Sequence, residues 1–262
     1  MLEVEHLRKI YAGHGRSVEA LRDLTFHIDA AELVCLVGPS GCGKTTLLKC
    51  VSGLLAPTSG RVVLEGLTVS GPPANMAVVL QEYGRSLFPW MSVAANVELP
   101  LKEKKLPTAR RRELVGRALD AVGLTDAGAA YPWQLSGGMQ QRVAIARAIA
   151  YEPHILLMDE PFAAVDAQTR ADLEDLIRRI WTQFEMTILF VTHDIDEAVY
   201  LGQRVVVLSS SPTIVQQDLV IDLPADRDQL TTRSHPRFTE LRGHVYEQIQ
   251  KAKADASAPA RT

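Results

Sequence analysis

A glycine-rich segment early in the chain has the residue types and spacing of a phosphate-binding loop. The segment Gly-x-x-x-x-Gly-Lys-Thr-Thr consists of Gly38, Pro39, Ser40, Gly41, Cys42, Gly43, Lys44, Thr45 and Thr46. Glycines let consecutive backbone N–H groups point at phosphate oxygens, and a following helix directs its positive end there. Lys44 is then expected to neutralise the outer phosphates, and the Thr45 hydroxyl to bind Mg²⁺. The segment predicts a nucleotide site.

Two carboxylates follow an apolar run much later in the chain. Ile155–Met158 is apolar, and Asp159 and Glu160 come directly after it. A solvated strand end would carry acids as well, but an apolar strand that delivers two carboxylates and a proline at one point favours catalysis. We expect Asp159 to hold Mg²⁺ directly or through water, and Glu160 to act as the general base.

A third segment opens a predicted helix with one serine and two glycines. Ser136, Gly137 and Gly138 stand immediately before an apolar helical pattern that runs to Ile149. Their amides therefore lie at the positive end of a helix, where an anion is favoured. A capping serine before an ordinary helix would explain Ser136 but not the double glycine.

The strands that must position these segments are of two kinds. Unbroken apolar runs are typical of parallel strands covered on both faces of one sheet. These runs are Leu33–Val37, Ile155–Met158, Thr187–Val191 and Val205–Leu208. Segments with stronger alternation predict a smaller antiparallel sheet. These segments are Glu3–Ile10, Leu24–Ile28 and Arg61–Glu65.

Helices are predicted from apolar periodicity and from end signals. Thr45–Ser52 forms a helix directly behind the glycine loop. Thr108 is expected to cap a second helix, which ends at Gly123. Apolar residues from Phe238 to Ile249 recur at spacings of three and four, which predicts a last amphipathic helix packed on the body. Beyond it, we expect residues 251–262 to form a frayed tail.

Composition narrows the class of protein. The 262 residues suffice for one large domain or two packed lobes, and 47% hydrophobic with 23% charged residues is ordinary for a folded chain. A net charge of −3 gives no electrostatic reason to expect nucleic acid. Acids near Met1 argue against a signal peptide, and no apolar run is long enough to span a membrane. The three cysteines, Cys35, Cys42 and Cys50, are expected to be free thiols in a reducing cytoplasm.

The order of these segments resembles that of the ATPase subunit of an ABC transporter. Its phosphate loop is followed by the signature Leu135–Gln140 and then by Ile155–Pro161. The resemblance implies an α/β fold with a P-loop NTPase core of mainly parallel sheet, an antiparallel β subdomain and an inserted α-helical subdomain. It implies ATP and Mg²⁺ as ligands. It also implies a head-to-tail dimer, in which Ser136–Gly138 of one copy meets the γ-phosphate held by the other.

Four further residues take expected roles from this resemblance. Tyr11 matches the aromatic residue that stacks on adenine, although a lone tyrosine also serves in ordinary packing. Gln81 matches the glutamine loop, which touches Mg²⁺ and leads to the permease contact. His193 matches the switch histidine, which senses the γ-phosphate. Asp166 matches the loop that links the two active sites, with Val165 in place of the usual leucine.

Two other segments resemble the nitrate, sulfonate and taurine importer subfamily: Ser86–Val93 with Asn96–Val97, and His235–Arg242. The implied function is ATP hydrolysis at the cytoplasmic face of the inner membrane. The implied partners are a second copy, an integral-membrane permease and, through it, a periplasmic or lipid-anchored solute-binding protein. The aromatic stretch Leu87–Trp90 fits both packing of the helical lobe and docking of a permease. The cargo is not encoded, because such an ATPase does not touch it.

The expected organisation is a nucleotide-binding domain over residues 1–225, with the helical subdomain inserted at about 88–150. A C-terminal helix and flexible tail occupy residues 226–262. A soluble ABC protein acting on ribosomes or DNA would keep the same chemistry, but tandem ATPase units and long coiled coils are missing from the sequence. A phosphate-loop kinase would need an acceptor-binding lid, and would not explain the signature at Ser136.

Overall fold

The computed structural model describes residues 1–13, 16–81 and 86–257. The strands are β1 Leu2–Gly13, β2 Arg16–Ile28, β3 Leu33–Val37, β4 Ser59–Leu64, β5 Leu67–Thr68, β6 Met76–Val79, β7 Ile155–Asp159, β8 Thr187–Val191, β9 Arg204–Leu208 and β10 Thr213–Val220. The helices are α1 Lys44–Val51, α2 Val93–Glu98, α3 Thr108–Ala121, α4 Gly137–Ala150, α5 Ala167–Phe184, α6 Ile195–Leu201, α7 Thr231–Ser234 and α8 Pro236–Ser257. Short 3₁₀ turns occupy Leu99–Lys102, Thr125–Ala127 and Pro132–Gln134.

The chain divides into two compact units. One unit comprises residues 1–73 and 187–262, and the other residues 74–186. The first unit therefore holds β1–β5, α1, β8–β10 and α6–α8. The second holds β6, β7 and α2–α5.

Strands of the first unit lie in the order β5-β4-β1-β2-β10-β9-β3-β8. Strand β3 pairs in parallel with both β8 and β9, and every residue of β3 and β8 is buried. Burial on both faces explains why these strands are unbroken apolar runs. Strand β1 pairs antiparallel with β2 and β4. The predicted parallel strands of this unit and the predicted antiparallel sheet are both confirmed.

In the part of the chain that the structure describes, the second unit holds the parallel strand pair β6–β7 and helices α2–α5. Strand β6 pairs with β7, so that Val79 lies opposite Met158. Helices α2, α3 and α4 follow β6 in the chain and precede β7. Helix α3 packs on α4, and its buried residues include Leu114 and Ala118. The expected fold class, an α/β chain with helices inserted between two parallel strands, is confirmed.

Two predicted helix ends are wrong. Helix α3 is capped by Pro107 and not by Thr108: the Pro107 carbonyl accepts the N–H of Arg111 at 3.0 Å, which makes Thr108 the first helical residue. Its hydroxyl instead accepts a hydrogen bond from Arg111 Nη2 at 3.3 Å. The predicted frayed tail at residues 251–262 also starts too early, because α8 continues to Ser257. The cause is Ala252, which is buried and whose carbonyl accepts from Ser210 Oγ at 2.8 Å.

Among the helices that the structure describes, none has the length and apolar character that crossing a membrane requires.

Two glycines provide a matched test of the backbone. Gly60 has φ +74°, and a Cβ there would overlap the carbonyl oxygens of Glu5 and His6. Gly116 lies inside α3 with no atom within 4 Å of its Cβ position. We expect Gly60→Ala to lower the free energy of unfolding by about 2 kcal/mol or more, and Gly116→Ala to raise it by about 0.5–1 kcal/mol. Urea titration followed by circular dichroism measures both, and a Gly60→Ala midpoint equal to that of wild type would contradict the backbone described for β1 and β4.

Candidate functional site

The glycine segment forms a tight loop between β3 and α1. Gly41 and Gly43 have φ +76° and +104°, in the left-handed region that glycine adopts without strain. The side chain of Lys44 is buried, and its Nζ donates hydrogen bonds to the carbonyl oxygens of Gly38 at 3.0 Å and Pro39 at 3.3 Å. The loop therefore wraps around an ammonium group at the N-terminus of a helix. A site of this kind favours phosphate.

Side chains behind the loop fix its shape. Cys42 is buried, and its carbonyl oxygen accepts a hydrogen bond from the hydroxyl of Thr213, a fully buried residue of β10. A Cβ on Gly38 would lie 2.9 Å from Cys42 Sγ, and one on Gly43 would lie 3.1 Å from Leu21 Cδ2. Thr213 has no motif around it, so sequence reasoning missed its role as a support of the loop.

Tyr11 of β1 reaches the first turn of α1. Its hydroxyl lies 3.2 Å from Thr46 Oγ1, within hydrogen-bond distance. Lys9 Nζ lies 5.5 Å from the centre of the ring. Tyr11 remains 43% exposed, so apolar surface beside the loop is open to a stacking partner. The structure thus brings together two predicted site residues that are 35 positions apart.

His193 emerges at the same sheet edge as the glycine loop. Strands β3 and β8 are parallel neighbours, and Thr192 N–H donates to the Leu36 carbonyl at 3.1 Å. His193 follows immediately and is exposed. Since the carboxyl ends of parallel strands share an edge, the loop that begins at Gly38 and the histidine loop leave the sheet side by side.

The carboxylate pair and Gln81 share an edge in the second unit. Val79 lies opposite Met158, so Gln81 and Glu160 each follow that register position by two residues. Gln81 is exposed and Asp159 is buried. Glu160 is partly exposed with φ +42°, a left-handed conformation that costs a non-glycine residue about 1 kcal/mol or more. Strain of this kind is concentrated at functional sites.

Two capped helix N-termini meet in the second unit. Ser136 caps α4 by accepting from Met139 N–H at 3.3 Å. Asp166 caps α5 by accepting from the N–H of Thr169 at 3.0 Å and from its hydroxyl at 2.7 Å. The N–H contact is the main reason that the pKa of Asp166 is lowered, and the hydroxyl adds to it.

A close approach joins these two helix ends. A Cβ on Gly138 would lie 2.5 Å from Thr169 Cγ2, so only glycine fits there without movement. The signature glycine and the Asp166 cap are therefore joined through the Thr169 side chain. Sequence reasoning did not find Thr169, because nothing in the chain order shows that α4 and α5 meet.

The aromatic stretch divides into a buried and an exposed part. Leu87 is buried, whereas Trp90 is 72% exposed. Asn96 holds the loop between them: its fully buried amide accepts from Phe88 N–H at 2.8 Å and donates to the carbonyl oxygens of Phe88, Met91 and Ser92 at 3.0–3.1 Å. The stretch can therefore serve both expected roles: Leu87 packs in the interior, and Trp90 is exposed for contact with a partner.

A cavity of about 340 Å³ also lies in the second unit. It is lined by Met76, Ala77, Val78, Pro100, Glu103, Ala144, Arg147, Ala148 and Tyr151. Arg147 donates to the Ser86 carbonyl and hydroxyl oxygens, each at 2.7 Å, and its burial lowers the pKa of the guanidinium. The cavity is therefore mainly apolar, with the half-buried Arg147 guanidinium and the exposed Glu103 carboxylate in its wall.

Comparison with known proteins gives one family and many relatives. A family model described as ABC transporter matches residues 21–163. The chain is 46% identical over 234 residues to the nitrate import ATP-binding protein NrtD of Synechocystis sp., covering 89% of this chain and 87% of that protein. It is 40% identical over 254 residues to the taurine import ATP-binding protein TauB of Roseobacter denitrificans, covering 93% and 94%.

Solved structures give the same result. One is the dimeric structure of a post-hydrolysis ATP-binding cassette bound to ADP and Pi, with a TM-score of 0.75 and 30% identity, covering 86% of this chain and 100% of that chain. Another is a cassette from Clostridium perfringens that is part of an ABC transporter complex, with a TM-score of 0.77 and 28% identity, covering 84% and 88%.

The contact between Gly138 and Thr169 can be tested by adding one methyl group and removing another. Gly138→Ala pushes a Cβ into Thr169 Cγ2, while the Thr169 hydroxyl is held by Asp166. We expect a loss of about 1–3 kcal/mol in the free energy of unfolding. Thr169→Ser removes the methyl and keeps the hydroxyl, so the double variant should regain most of that loss.

Thermal unfolding of the two single variants and the double variant measures this coupling. Additive effects of the two substitutions would contradict the contact.

Proposed function

Since the chain belongs to the ABC transporter family, we propose that it is the ATP-hydrolysing subunit of an importer. It works peripherally at the cytoplasmic face of the inner membrane and drives uptake of a small solute of nitrate, sulfonate or taurine type. Its similarity to nitrate and taurine import ATP-binding proteins over about nine-tenths of the chain supports import. No feature favours the alternative of a soluble ABC ATPase acting on ribosomes or DNA.

ATP binding rests on one observation above all, the glycine loop wrapped around Lys44. The backbone amides of residues 38–46 and the Lys44 ammonium hold the phosphates. Tyr11, held beside Thr46, stacks on the adenine. These groups all lie within the first unit of the chain.

Hydrolysis uses the polar groups at the strand ends. Thr45, Gln81 and Asp159 would offer Mg²⁺ a hydroxyl, an amide and a carboxylate oxygen, which are ligand types that suit this ion. Mg²⁺ neutralises phosphate charge when bound. Glu160 accepts the proton of the attacking water, and His193 contacts the γ-phosphate and orients that water or the base.

The signature segment acts on a nucleotide held by a second copy. Ser136, Gly137 and Gly138 present N–H groups at the positive end of the 14-residue helix α4. In a head-to-tail dimer they contact the γ-phosphate held by the partner copy, and Asp166 links the two active sites. The dimeric state of a solved relative bound to ADP and Pi supports this arrangement.

The permease docks on the second unit, beside Trp90 and the cavity next to Arg147. An exposed indole and a mainly apolar cavity, with the Arg147 guanidinium and the Glu103 carboxylate in its wall, suit an amphipathic helix of the permease. The permease in turn contacts a periplasmic or lipid-anchored solute-binding protein. ATP binding closes the dimer, the permease changes orientation, and hydrolysis reopens it.

Two substitutions should separate binding from hydrolysis. Lys44→Ala should lose ATP binding, because it removes the cation that holds the outer phosphates. Glu160→Gln should bind ATP and dimerise, but lower kcat by about 100-fold or more, because the general base is gone. Nucleotide titration, size-exclusion chromatography with light scattering and phosphate release measure these properties. Undiminished turnover in Glu160→Gln would remove the base assignment.

Docking of the permease can be tested with one exposed aromatic residue. We expect Trp90→Ala to reduce co-purification of the permease from gently solubilised membranes about ten-fold, because exposed aromatic anchors carry much of an interface's energy. Leu67→Ala is the matched control, since Leu67 is 76% exposed on β5, in the other unit. Equal recovery with both variants would place docking elsewhere.

A further inference from the structure

The loop that carries His193 is braced by its own neighbours. Thr192 is buried, and its hydroxyl donates to the buried Glu197 at 2.5 Å and accepts from the N–H of Asp194 at 3.0 Å. Asp194 caps α6 by accepting from Asp196 N–H at 2.8 Å and from Glu197 N–H at 3.2 Å. The histidine backbone therefore moves only if the first turn of α6 moves.

Residues from the end of the chain hold α6 at both ends. Arg227 Nη1 donates to the carbonyl oxygens of Val199, Tyr200 and Gly202 at 2.6–3.1 Å, which satisfies the C-terminus of the helix. Arg242 of α8 lies on the other end. Its Nε lies 2.6 Å from Asp196 Oδ1, in the first turn of α6.

The Arg242–Asp196 ion pair also spans a cavity that includes His193. This cavity has a volume of about 500 Å³. His193, Asp194, Ile195 and Asp196 line one side, and Arg242, Gly243 and Tyr246 of α8 line the other. The C-terminal helix is thus the wall that faces the histidine loop, and the ion pair joins the two sides.

An ion pair this exposed contributes little to global stability. Arg242 is 56% and Asp196 36% exposed in their side chains, so breaking the pair should leave the protein folded. The effect on geometry is larger, because Asp196 is only three residues from His193. Misplacing a group that contacts the reacting phosphate by a fraction of an ångström reduces the rate of reaction without removing binding.

We propose that Arg242 is a positioning residue for His193, and that the C-terminal helix α8 thereby sets the rate of hydrolysis. The proposal rests on the proposed function of His193. In the proposed role, Arg242 contacts neither nucleotide nor metal. It acts through Asp196 and the first turn of α6.

A double-mutant cycle tests the proposal in the full-length protein. Arg242→Gln and Asp196→Asn should each lower kcat for ATP hydrolysis by about three- to ten-fold, with KM for ATP changed less than about two-fold. The double variant should be no slower than either single variant, because both substitutions break the same contact. Arg242→Lys, which keeps the charge, should recover part of the rate.

Arg237→Gln is the matched control. Arg237 lies on the same helix, is 42% exposed and forms ion pairs with Asp222 and Glu240 at 2.8 and 3.0 Å. Neither of these acids belongs to α6. We expect kcat of the control to equal that of wild type, and all variants to melt within a few degrees of one another.

The His193→Ala variant separates the proposed role of His193 from the positioning role of Arg242. If His193→Ala loses turnover while Arg242→Gln keeps the wild-type kcat, the positioning role of Arg242 is overturned and the role of His193 stands. Additive losses in the double variant, or an equal loss in Arg237→Gln, also overturn it. Full turnover in His193→Ala overturns both the assignment of His193 and the inference built on it.

Discussion

Parallel pairing of buried strands is the constraint on which the positions of the reactive groups depend. Because Leu36 lies opposite Val191, the glycine loop and His193 leave their strands at one edge of the sheet. Because Val79 lies opposite Met158, Gln81 leaves its strand beside the carboxylate pair in the same way. The pairing of these strands decides which loops emerge together, so the apolar runs that hold the core also hold the site.

Capped helix N-termini also fix the positions of candidate site segments. Ser136, Asp166 and Asp194 each cap a helix with a side-chain oxygen, and each stands in a segment that sequence patterns connect with nucleotide chemistry. Capping satisfies some of the free N–H groups of the first turn and leaves others available. At α4 the uncharged Ser136 cap stabilises the helix and leaves its N-terminus positive, whereas Asp166 and Asp194 place carboxylates at the N-termini of α5 and α6.

Local patterns predicted much of the fold and of the candidate site, since apolar runs and the glycine loop depend on neighbours in sequence. Contacts between distant residues were not predictable. Nothing local shows that Thr169 meets Gly138, or that Arg242 meets Asp196. The misplaced start of α3 has a different, local cause: threonine is a favoured cap, but the backbone begins the helix one residue earlier, at the Pro107 carbonyl. Under the proposed function, the cargo is selected by another chain, so neither the sequence nor the fold of this one identifies it.

Catalysis and control draw on different parts of the chain. The groups proposed to touch ATP follow buried strands or begin helices, where packing leaves few alternative positions. The C-terminal segment binds α6 in two ways: Arg227 donates to carbonyl oxygens at the C-terminus of α6, whereas Arg242 forms a partly exposed ion pair with Asp196 that is weak and is changed easily. The buried contacts keep the nucleotide site in place, whereas the weak Arg242–Asp196 ion pair lets the histidine loop respond to helix α8. A helix that lies outside the nucleotide site and faces its histidine loop is therefore well placed to adjust the rate without altering affinity for ATP.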